Sequence, residues 1–285
     1  MLWPEDGFTK GQVIDYCARI ADAILPHLRD RPLTLKRYPN GVGASSFYEK
    51  RCPGHRPDWV KTAPVWSGRN EGDIDYCLCN EKATLVWMAQ LAALELHPSL
   101  SLAADIERPT VLAFDLDPGA PAGILDCCWV ALRLREMFAG LDLECFPKTS
   151  GSKGLQVYVP LNSEITYERT KPFAHAVAQA LERSEPDRVV SRMAKKLRKG
   201  KVLVDWSQND QHKTTVAVYS LRARERPTVS TPVEWKEVER AMKRNDPDSL
   251  SFEADDVLKR VEKRGDLFAP VLELRQELPA KVRGD

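Results

Sequence analysis

The chain has 285 residues, of which 43% are hydrophobic, and its 42 basic side chains nearly balance 41 acidic ones, leaving a formal net charge of +1. A chain of this length can bury a large core and divide into two lobes. It contains no run of about 18 apolar residues, which excludes a helical membrane protein, and its first residues are not those of a signal peptide. Because its seven cysteines lack Cys-x-x-Cys spacing, we expect reduced thiols in a cytoplasmic protein rather than a zinc site.

The hydrophobic periodicity predicts alternating helices and strands, which is typical of an α+β enzyme rather than a repeat protein. A first helix is expected at residues 12–25, where Pro26 should end or kink it. The other predicted elements, in chain order, are strands at 33–38, 45–50 and 73–78, a helix at 81–94, a strand that ends at Asp115 and Asp117, a helix at 122–138, strands at 143–146 and 155–159, a helix at 167–183, strands at 201–205 and 216–219, and a mostly helical segment at 232–274.

Two segments are strongly basic although the whole chain is nearly neutral. Residues 29–61 contain eight basic and three acidic side chains, and residues 183–201 contain eight basic and two acidic ones. Clusters of positive charge suit a phosphate backbone that lies along one face of a protein. The alternative is that both segments are ordinary solvated surfaces.

A pair of carboxylates follows the apolar run at residues 111–114. Side chains alternate across a strand, so Asp115 and Asp117 should point to the same face. Two neighbouring anions repel each other, and a divalent cation would supply the missing counter-charge. A solvated turn is the alternative, but the preceding strand argues against it.

Three later segments match the needs of phosphate and metal chemistry. The turn at residues 148–154 is rich in Ser and Gly and contains Lys153, so its backbone N–H groups and ammonium could bind an anion. Asp205 ends another apolar strand and could complete a three-carboxylate site for two hard cations. Three arginines at residues 222–226 could bind phosphate oxygens in pairs. Together these features favour metal-dependent nucleotidyl transfer.

Four segments in this order resemble the polymerase domain of bacterial ATP-dependent DNA ligase D, which belongs to the archaeo-eukaryotic primase superfamily of end-joining polymerases and primases. They are Phe114-Asp115-Leu116-Asp117-Pro118-Gly119, Thr149-Ser150-Gly151-Ser152-Lys153-Gly154-Leu155, Val204-Asp205-Trp206-Ser207-Gln208-Asn209 and Tyr219-Ser220-Leu221-Arg222. The resemblance implies an α+β primase-polymerase fold of two mixed α/β lobes with the active site in the cleft between them. It also implies a single domain at residues 1–285, with a basic DNA-binding part at about 1–100, a catalytic part at about 101–230 and a helical part at about 231–285.

The same resemblance implies an activity and a set of site residues. The activity is template-directed nucleotidyl transfer, with a preference for ribonucleotides, that fills gaps or extends ends in bacterial double-strand-break repair by non-homologous end joining. The catalytic metal ligands would be Asp115, Asp117 and Asp205, holding two Mn²⁺ or Mg²⁺ ions. The nucleoside triphosphate would be bound by His97, Ser150, Lys153, Gln208 and Arg222.

The resemblance also implies contacts with DNA and partner proteins. The expected DNA-binding residues are Lys10, Lys36, Arg37, Phe47, Tyr48, Lys50 and Arg51. Lys10 would bind the 5′-phosphate of a gapped, nicked or broken end. Phe47 and Tyr48 would stack on template bases, although strand alternation should turn one of the two inward. Expected partners are a Ku-type end-binding protein and a separate DNA ligase, because no Lys-x-Asp-Gly ligase nucleophile is present. The expected location is the cytoplasm, on the nucleoid, with no membrane contact.

Other functions remain open at this point. Within the same chemistry, the chain could be a stand-alone primase that needs no primer, or a gap-filling repair polymerase. A glycosyltransferase that uses Asp-x-Asp and manganese to hold a nucleotide diphosphate is a rival of another class, but it would not need the basic segments. A catalytically inactive DNA-end scaffold would bind DNA without incorporating nucleotides.

Overall fold

The computed structural model describes residues 1–68 and 71–279. Its α-helices are α1 (Lys10–Leu28), α2 (Lys82–Gln90), α3 (Ile124–Ala139), α4 (Tyr167–Ser184), α5 (Trp235–Arg244), α6 (Ala254–Arg264) and α7 (Pro270–Glu273). Its strands are β1 (Leu33–Arg37), β2 (Phe47–Glu49), β3 (Thr62–Ser67), β4 (Gly72–Cys77), β5 (Ala93–Pro98), β6 (Ser101–Leu102), β7 (Asp105–Pro109), β8 (Val111–Pro118), β9 (Phe146–Thr149), β10 (Leu155–Pro160), β11 (Val189–Val190), β12 (Val202–Asp205), β13 (Leu221–Ala223) and β14 (Pro227–Val229). The mixed α/β character expected from the sequence is confirmed.

The chain forms two compact units that are interleaved in sequence. The first contains Met1–Ile106, Thr214–Thr231 and Phe252–Asp266, and the second contains Glu107–Lys213, Pro232–Ser251 and Leu267–Asp285. Each unit is therefore assembled from three separate stretches of chain.

The first unit contains a five-stranded antiparallel sheet in the order β2-β1-β4-β3, with β5 pairing on β1. Helix α1 packs against α2 and α6 in this unit. A buried polar network joins distant segments here, since the Tyr219 hydroxyl donates to Asp266 over 2.7 Å and His27 Nε2 lies 2.7 Å from the same carboxylate. Tyr16 in turn donates to the Tyr219 carbonyl over 2.7 Å.

The second unit contains a sheet in the order β11-β12-β8-β10-β9, in which only β11 and β12 are parallel. Helix α3 packs on β8 and β10, and α4 packs on β8 and β11. The apolar run that precedes the two aspartates is buried, as predicted, and Phe114 packs against Phe138 of α3 with ring centroids 5.5 Å apart. A helix packed behind the sheet therefore fixes the strand that presents Asp115 and Asp117.

Helix α1 is longer than predicted at both ends. Thr9 and Gln12 form a capping box, because the Thr9 hydroxyl accepts from the Gln12 N–H and the Gln12 side chain accepts from the Thr9 N–H. Pro26 lies inside the helix and does not end it. The helix continues because the apolar side chains of Ile24 and Leu28 on either side are buried in the core.

Three other element predictions were wrong in detail. The strand predicted at 143–146 instead runs from Phe146 to Thr149. The helix predicted at 81–94 ends at Gln90, and Ala92 has a φ of 56°, after which the chain continues as the buried strand β5. No strand forms at residues 216–219; Tyr219 has a φ of 63°, and the pairing begins two residues later in β13. Apolar runs this short are compatible with either a helix or a strand, so tertiary packing determines which of the two forms.

The cysteines also differ from the expectation of reduced thiols. A disulfide joins Cys52 to Cys77, and the other five cysteines are free and buried. Cys77 ends β4, so the bridge ties the segment after β2 to the neighbouring part of the same sheet. Among the described helices, none has the length and hydropathy that crossing a membrane requires.

Candidate active site

The second unit presents a row of polar side chains across four neighbouring strands. Asp115 lies directly opposite Asp205 on one side and Gln156 on the other, and Gln156 lies opposite Lys148. Residues paired in register share a face of the sheet, and Asp117 shares that face because it is two residues beyond Asp115. The sheet thus places three carboxylates on one face, as predicted, and adds a glutamine and a buried lysine that the sequence analysis did not assign.

The charges of this row are strongly coupled. Burial and the negative charges of Asp117 and Asp205 raise the pKa of Asp115 from 3.8 to about 7, against the hydrogen bond from Gln156 and the charge of Lys148, which lower it. Gln156 Nε2 donates to Asp115 over 3.1 Å. The direction of the shift is that expected of carboxylates that share one site without enough positive charge.

The third carboxylate, Asp205, accepts hydrogen bonds from residues that directly follow β12. Asp205 Oδ1 accepts from the N–H of Ser207 over 2.9 Å and from its hydroxyl, and Oδ2 accepts from Gln208 Nε2 over 2.9 Å. The predicted site residue Gln208 therefore holds the Asp205 carboxylate in place through a hydrogen bond. Arg198 Nη1 lies 3.8 Å from Asp117.

The donor chemistry of this face suits a hard divalent cation, since it offers carboxylate oxygens with an excess of negative charge. In residues 1–68 and 71–279, however, no group of three or more His, Cys, Asp and Glu side chains is gathered as a ready ligand set. The assignment of Asp115, Asp117 and Asp205 as metal ligands therefore stays a prediction.

The Ser/Gly turn at residues 150–154 folds tightly beside the same strand. The Ser150 N–H donates to the Gly154 carbonyl over 2.9 Å, and the Ser150 hydroxyl accepts from the N–H groups of Ser152 and Gly154 over 3.2 Å each. A Cβ at Gly154 would lie 2.0 Å from the Leu116 carbonyl oxygen, so only glycine fits there. Lys153 is exposed on this turn, while Ser150 is buried. The predicted phosphate loop thus lies directly against the strand of the two aspartates.

The first unit gathers a second set of predicted residues around Glu95. His97 and Glu95 lie on one face of β5, and in register with them on β1 lie Thr34 and Lys36. Arg222 Nε and His97 Nε2 each lie 3.3 Å from Glu95, and Lys36 Nζ lies 3.5 Å from it. Sequence reasoning missed Glu95, although its position two residues before His97 on a strand was a usable signal.

The remaining predicted DNA-binding residues lie on or near the sheet of the first unit. Phe47 and Tyr48 are both exposed, at 44% and 61%, so the expectation that one would turn inward was wrong. Strand β2 pairs with β1 at the edge of the sheet, and it is only three residues long. Arg37 pairs with Glu49 over 2.9 Å. Lys10 lies in the first turn of α1, and Lys50 and Arg51 follow β2 in the chain. All three side chains are exposed.

Comparison with known proteins shows the family to which the chain belongs. The family model described as the primase-polymerase domain of LigD matches residues 9–268. The chain belongs to the LigD primase-polymerase family. Primase-polymerase domains are nucleotidyltransferases, and the expected enzyme class is therefore confirmed.

Relatives in this family come from several bacterial groups. The chain is 41% identical over 273 residues to the multifunctional non-homologous end joining protein LigD of Mycolicibacterium smegmatis, covering 95% of this chain and 35% of that protein. It is 30% identical over 266 residues to the bifunctional non-homologous end joining protein LigD of Bacillus subtilis, covering 93% of this chain and 42% of that one. The chain thus spans less than half the length of these LigD proteins.

A solved LigD structure has the same fold. The polymerase domain of Mycobacterium tuberculosis ligase D in complex with DNA matches this chain with a TM-score of 0.87 and 38% sequence identity, covering 98% of this chain and 96% of that one. The primase-polymerase fold expected from the sequence motifs is confirmed over essentially the whole chain.

Proposed function

We propose that this chain is a template-directed polymerase that adds nucleotides, preferably ribonucleotides, to gaps or ends of broken DNA during bacterial non-homologous end joining. The observation that supports this most is the match over 98% of the chain to a LigD polymerase domain in complex with DNA. The relatives whose names include end joining support the pathway. This nucleotide addition would take place in the cytoplasm, on nucleoid DNA.

In this proposal Asp115, Asp117 and Asp205 hold two Mn²⁺ or Mg²⁺ ions. Bound divalent ions would supply the positive charge that activates the primer 3′-hydroxyl and stabilises the departing pyrophosphate. The chain's own contribution is to fix the ligands. Gln208 and Ser207 hold Asp205 through hydrogen bonds, and Gln156 holds Asp115 in the same way.

The triphosphate-binding role is proposed for Ser150, Lys153 and Arg222, and the sugar-binding role for His97. Lys153 is exposed on a turn whose backbone is held rigidly by Ser150, so its ammonium can meet a phosphate while the turn keeps its shape. The guanidinium of Arg222 can bind two phosphate oxygens at once.

DNA would be bound by residues of the first unit, of which Lys36 and Arg37 are partly buried and the others are more exposed. Lys10 would bind a 5′-phosphate, and Lys36, Arg37, Lys50 and Arg51 would supply positive charge. The exposed rings of Phe47 and Tyr48 can stack on bases of any sequence. A Ku-type end-binding protein and a separate ligase are the proposed partners.

The test measures extension of a primer on a duplex with a one-nucleotide gap, with each ribo- and deoxyribonucleotide, with Mn²⁺ or Mg²⁺, and with or without a 5′-phosphate. We expect Asp117→Asn to reduce extension about a hundredfold or more, because several kcal/mol of charge stabilisation depend on the ligands. The control Asp187→Asn removes an exposed carboxylate of the same unit and should extend like the wild type. DNA binding should be unaffected in both.

Full extension by Asp117→Asn would contradict the metal-ligand assignment. Binding of gapped DNA without incorporation by the wild type would favour the inactive scaffold, and transfer from a labelled sugar nucleotide would favour the glycosyltransferase. Synthesis on a single-stranded template without primer would favour the primase.

A further inference from the structure

Glu95 is a buried carboxylate at the centre of residues that have proposed roles in binding. It is 2% exposed, and it lies on β5 on the same face as His97. Its oxygens accept hydrogen bonds from the Tyr38 hydroxyl at 2.9 Å, the Ala223 N–H at 3.4 Å and His97 Nε2 at 3.3 Å. The cationic groups of Lys36 and Arg222 lie in ion-pair contact with it at 3.5 and 3.3 Å. A carboxylate with this number of donors is held in one position and orients its partners in turn.

The charge states of this cluster follow from its surroundings. Burial opposes ionisation of Glu95, but the hydrogen bond from His97 and the positive charges of Arg222 and Lys36 outweigh burial, so the pKa of Glu95 is well below its ordinary range. Burial lowers the pKa of His97, and Arg222 and Lys36 lower it further, against the opposing effect of Glu95. At neutral pH an ionised carboxylate therefore faces a neutral imidazole.

This combination selects one tautomer of His97. An ionised carboxylate only accepts hydrogen bonds, so the nitrogen facing it, Nε2, must hold the proton. The other nitrogen, Nδ1, is then an acceptor, and it has no hydrogen-bond partner within the part of the chain that the structure describes. Such an acceptor recognises a hydroxyl group and gains nothing from a C–H in the same place.

We infer that Glu95 is a positioning residue that holds His97 in the Nε2-protonated tautomer, so that Nδ1 accepts a hydrogen bond from a sugar hydroxyl of the incoming nucleotide, and that it holds the Arg222 guanidinium in place for the triphosphate. The inference rests on the proposed function, which makes these two residues nucleotide ligands. Glu95 itself touches neither the nucleotide nor the DNA.

The kinetic test compares Glu95→Gln with a matched control, Glu253→Gln. Glu253 is a less buried carboxylate of the same unit that pairs with the exposed Arg226 over 2.7 Å, so its replacement makes the same chemical change outside the Glu95 cluster. In Glu95→Gln we expect the KM for ribonucleotides to rise about tenfold, because a charge-assisted contact is lost, with a smaller change in kcat. The preference for ribonucleotides over deoxyribonucleotides should fall by about the same factor.

The affinity for gapped DNA should stay the same or increase, because Lys36 keeps its charge and loses a competing anion. An unchanged or higher affinity for DNA distinguishes the loss of a positioning residue from general damage to the fold. Parallel losses of kcat, DNA affinity and thermal midpoint in Glu95→Gln would overturn the inference, and so would an unchanged KM and unchanged sugar preference. Glu253→Gln should change none of these kinetic values.

A second measurement needs no variant of Glu95. Long-range ¹H–¹⁵N NMR spectra of the labelled wild-type protein distinguish the tautomers of its five histidines, and His97→Gln identifies the signal of His97. We expect a neutral Nε2–H imidazole at pH 7.5, and a protonated Nδ1 would overturn the inference. If the wild type incorporates no nucleotide at all, the proposed function fails instead, while the tautomer is still measured.

Discussion

Replacement of Asp115 by Asn should stabilise the folded protein at alkaline pH while it removes a proposed metal ligand. Asp115 is only partly accessible and lies beside Asp117 and Asp205, and this partial burial together with the neighbouring charges raises its pKa to about 7 from the ordinary 3.8. Each pKa unit corresponds to about 1.36 kcal/mol, so the ionised carboxylate costs up to about 4 kcal/mol of unfolding free energy. Because the side chain is partly accessible, we expect about 2–4 kcal/mol.

The direction in which stability changes with pH follows from proton binding by Asp115. The folded state binds the Asp115 proton more tightly than the unfolded state, so this contribution to stability is complete below pH 4 and is lost as the pH rises to about 7. Asparagine has no such titration, and its amide oxygen can still accept from Gln156. The stability difference between variant and wild type should therefore be small at pH 4, grow between pH 4 and 7, and stay constant above.

The assay is urea unfolding at constant ionic strength with EDTA, at several pH values from 4 to 9. Asp187→Asn is the control, because it removes an exposed carboxylate of the same unit and should show no such dependence. A variant Asp115→Asn that is equally stable or less stable than the wild type at pH 8 would refute the conclusion that burial and the neighbouring carboxylates destabilise the ionised form of Asp115 in the folded state.

Three further predictions test the site and the DNA-binding face. Millimolar Mn²⁺ should raise the thermal midpoint of the wild type and not that of Asp117→Asn, and an equal rise in both would argue against the ligand assignment. Gly154→Ala should lower the unfolding free energy by more than about 2 kcal/mol, since its Cβ would lie 2.0 Å from the Leu116 carbonyl oxygen, whereas Gly43→Ala, with nothing within 4 Å, should be nearly neutral in urea unfolding. Lys50→Gln should reduce the slope of log affinity for DNA against log salt concentration by about 0.9 if this side chain contacts a phosphate, and an unchanged slope would remove it from the interface.

Much of the second unit could be predicted from the sequence because its signals are local. The apolar run before Asp115, the alternation that places Asp117 on the same face, and the Ser/Gly turn all depend on residues close in the chain. The pairing of Asp205 with Asp115 is different, because the register of two strands 90 residues apart depends on the packing of the whole sheet. The sequence motifs predicted that Asp115 and Asp205 lie close together, and the strand register shows that they lie directly opposite each other.

The first unit was harder to predict for the same physical reason. Strand β5 was partly assigned to a helix, since Leu94 continues the apolar pattern of α2, and the turn at Ala92 has no Gly or Pro to mark it. With β5 unrecognised, Glu95 could not be placed opposite Lys36. The expectation that one of the two aromatic residues of β2 would turn inward was wrong because alternation describes a strand with one covered face, which a short edge strand need not have.

The interleaving of the two units has a consequence for truncation and folding. The polypeptide passes from one unit to the other after residues 106, 213, 231, 251 and 266, so a cut after residue 213, 231 or 251 leaves both units incomplete. Deleting everything after residue 231, for example, would remove α6 and Asp266 from the first unit together with α5 and α7 from the second. The first unit is complete only when residue 266 has been synthesised, and the second unit also needs residues after that point. A fragment meant to contain one unit alone should therefore be designed by joining its three segments rather than by shortening the gene.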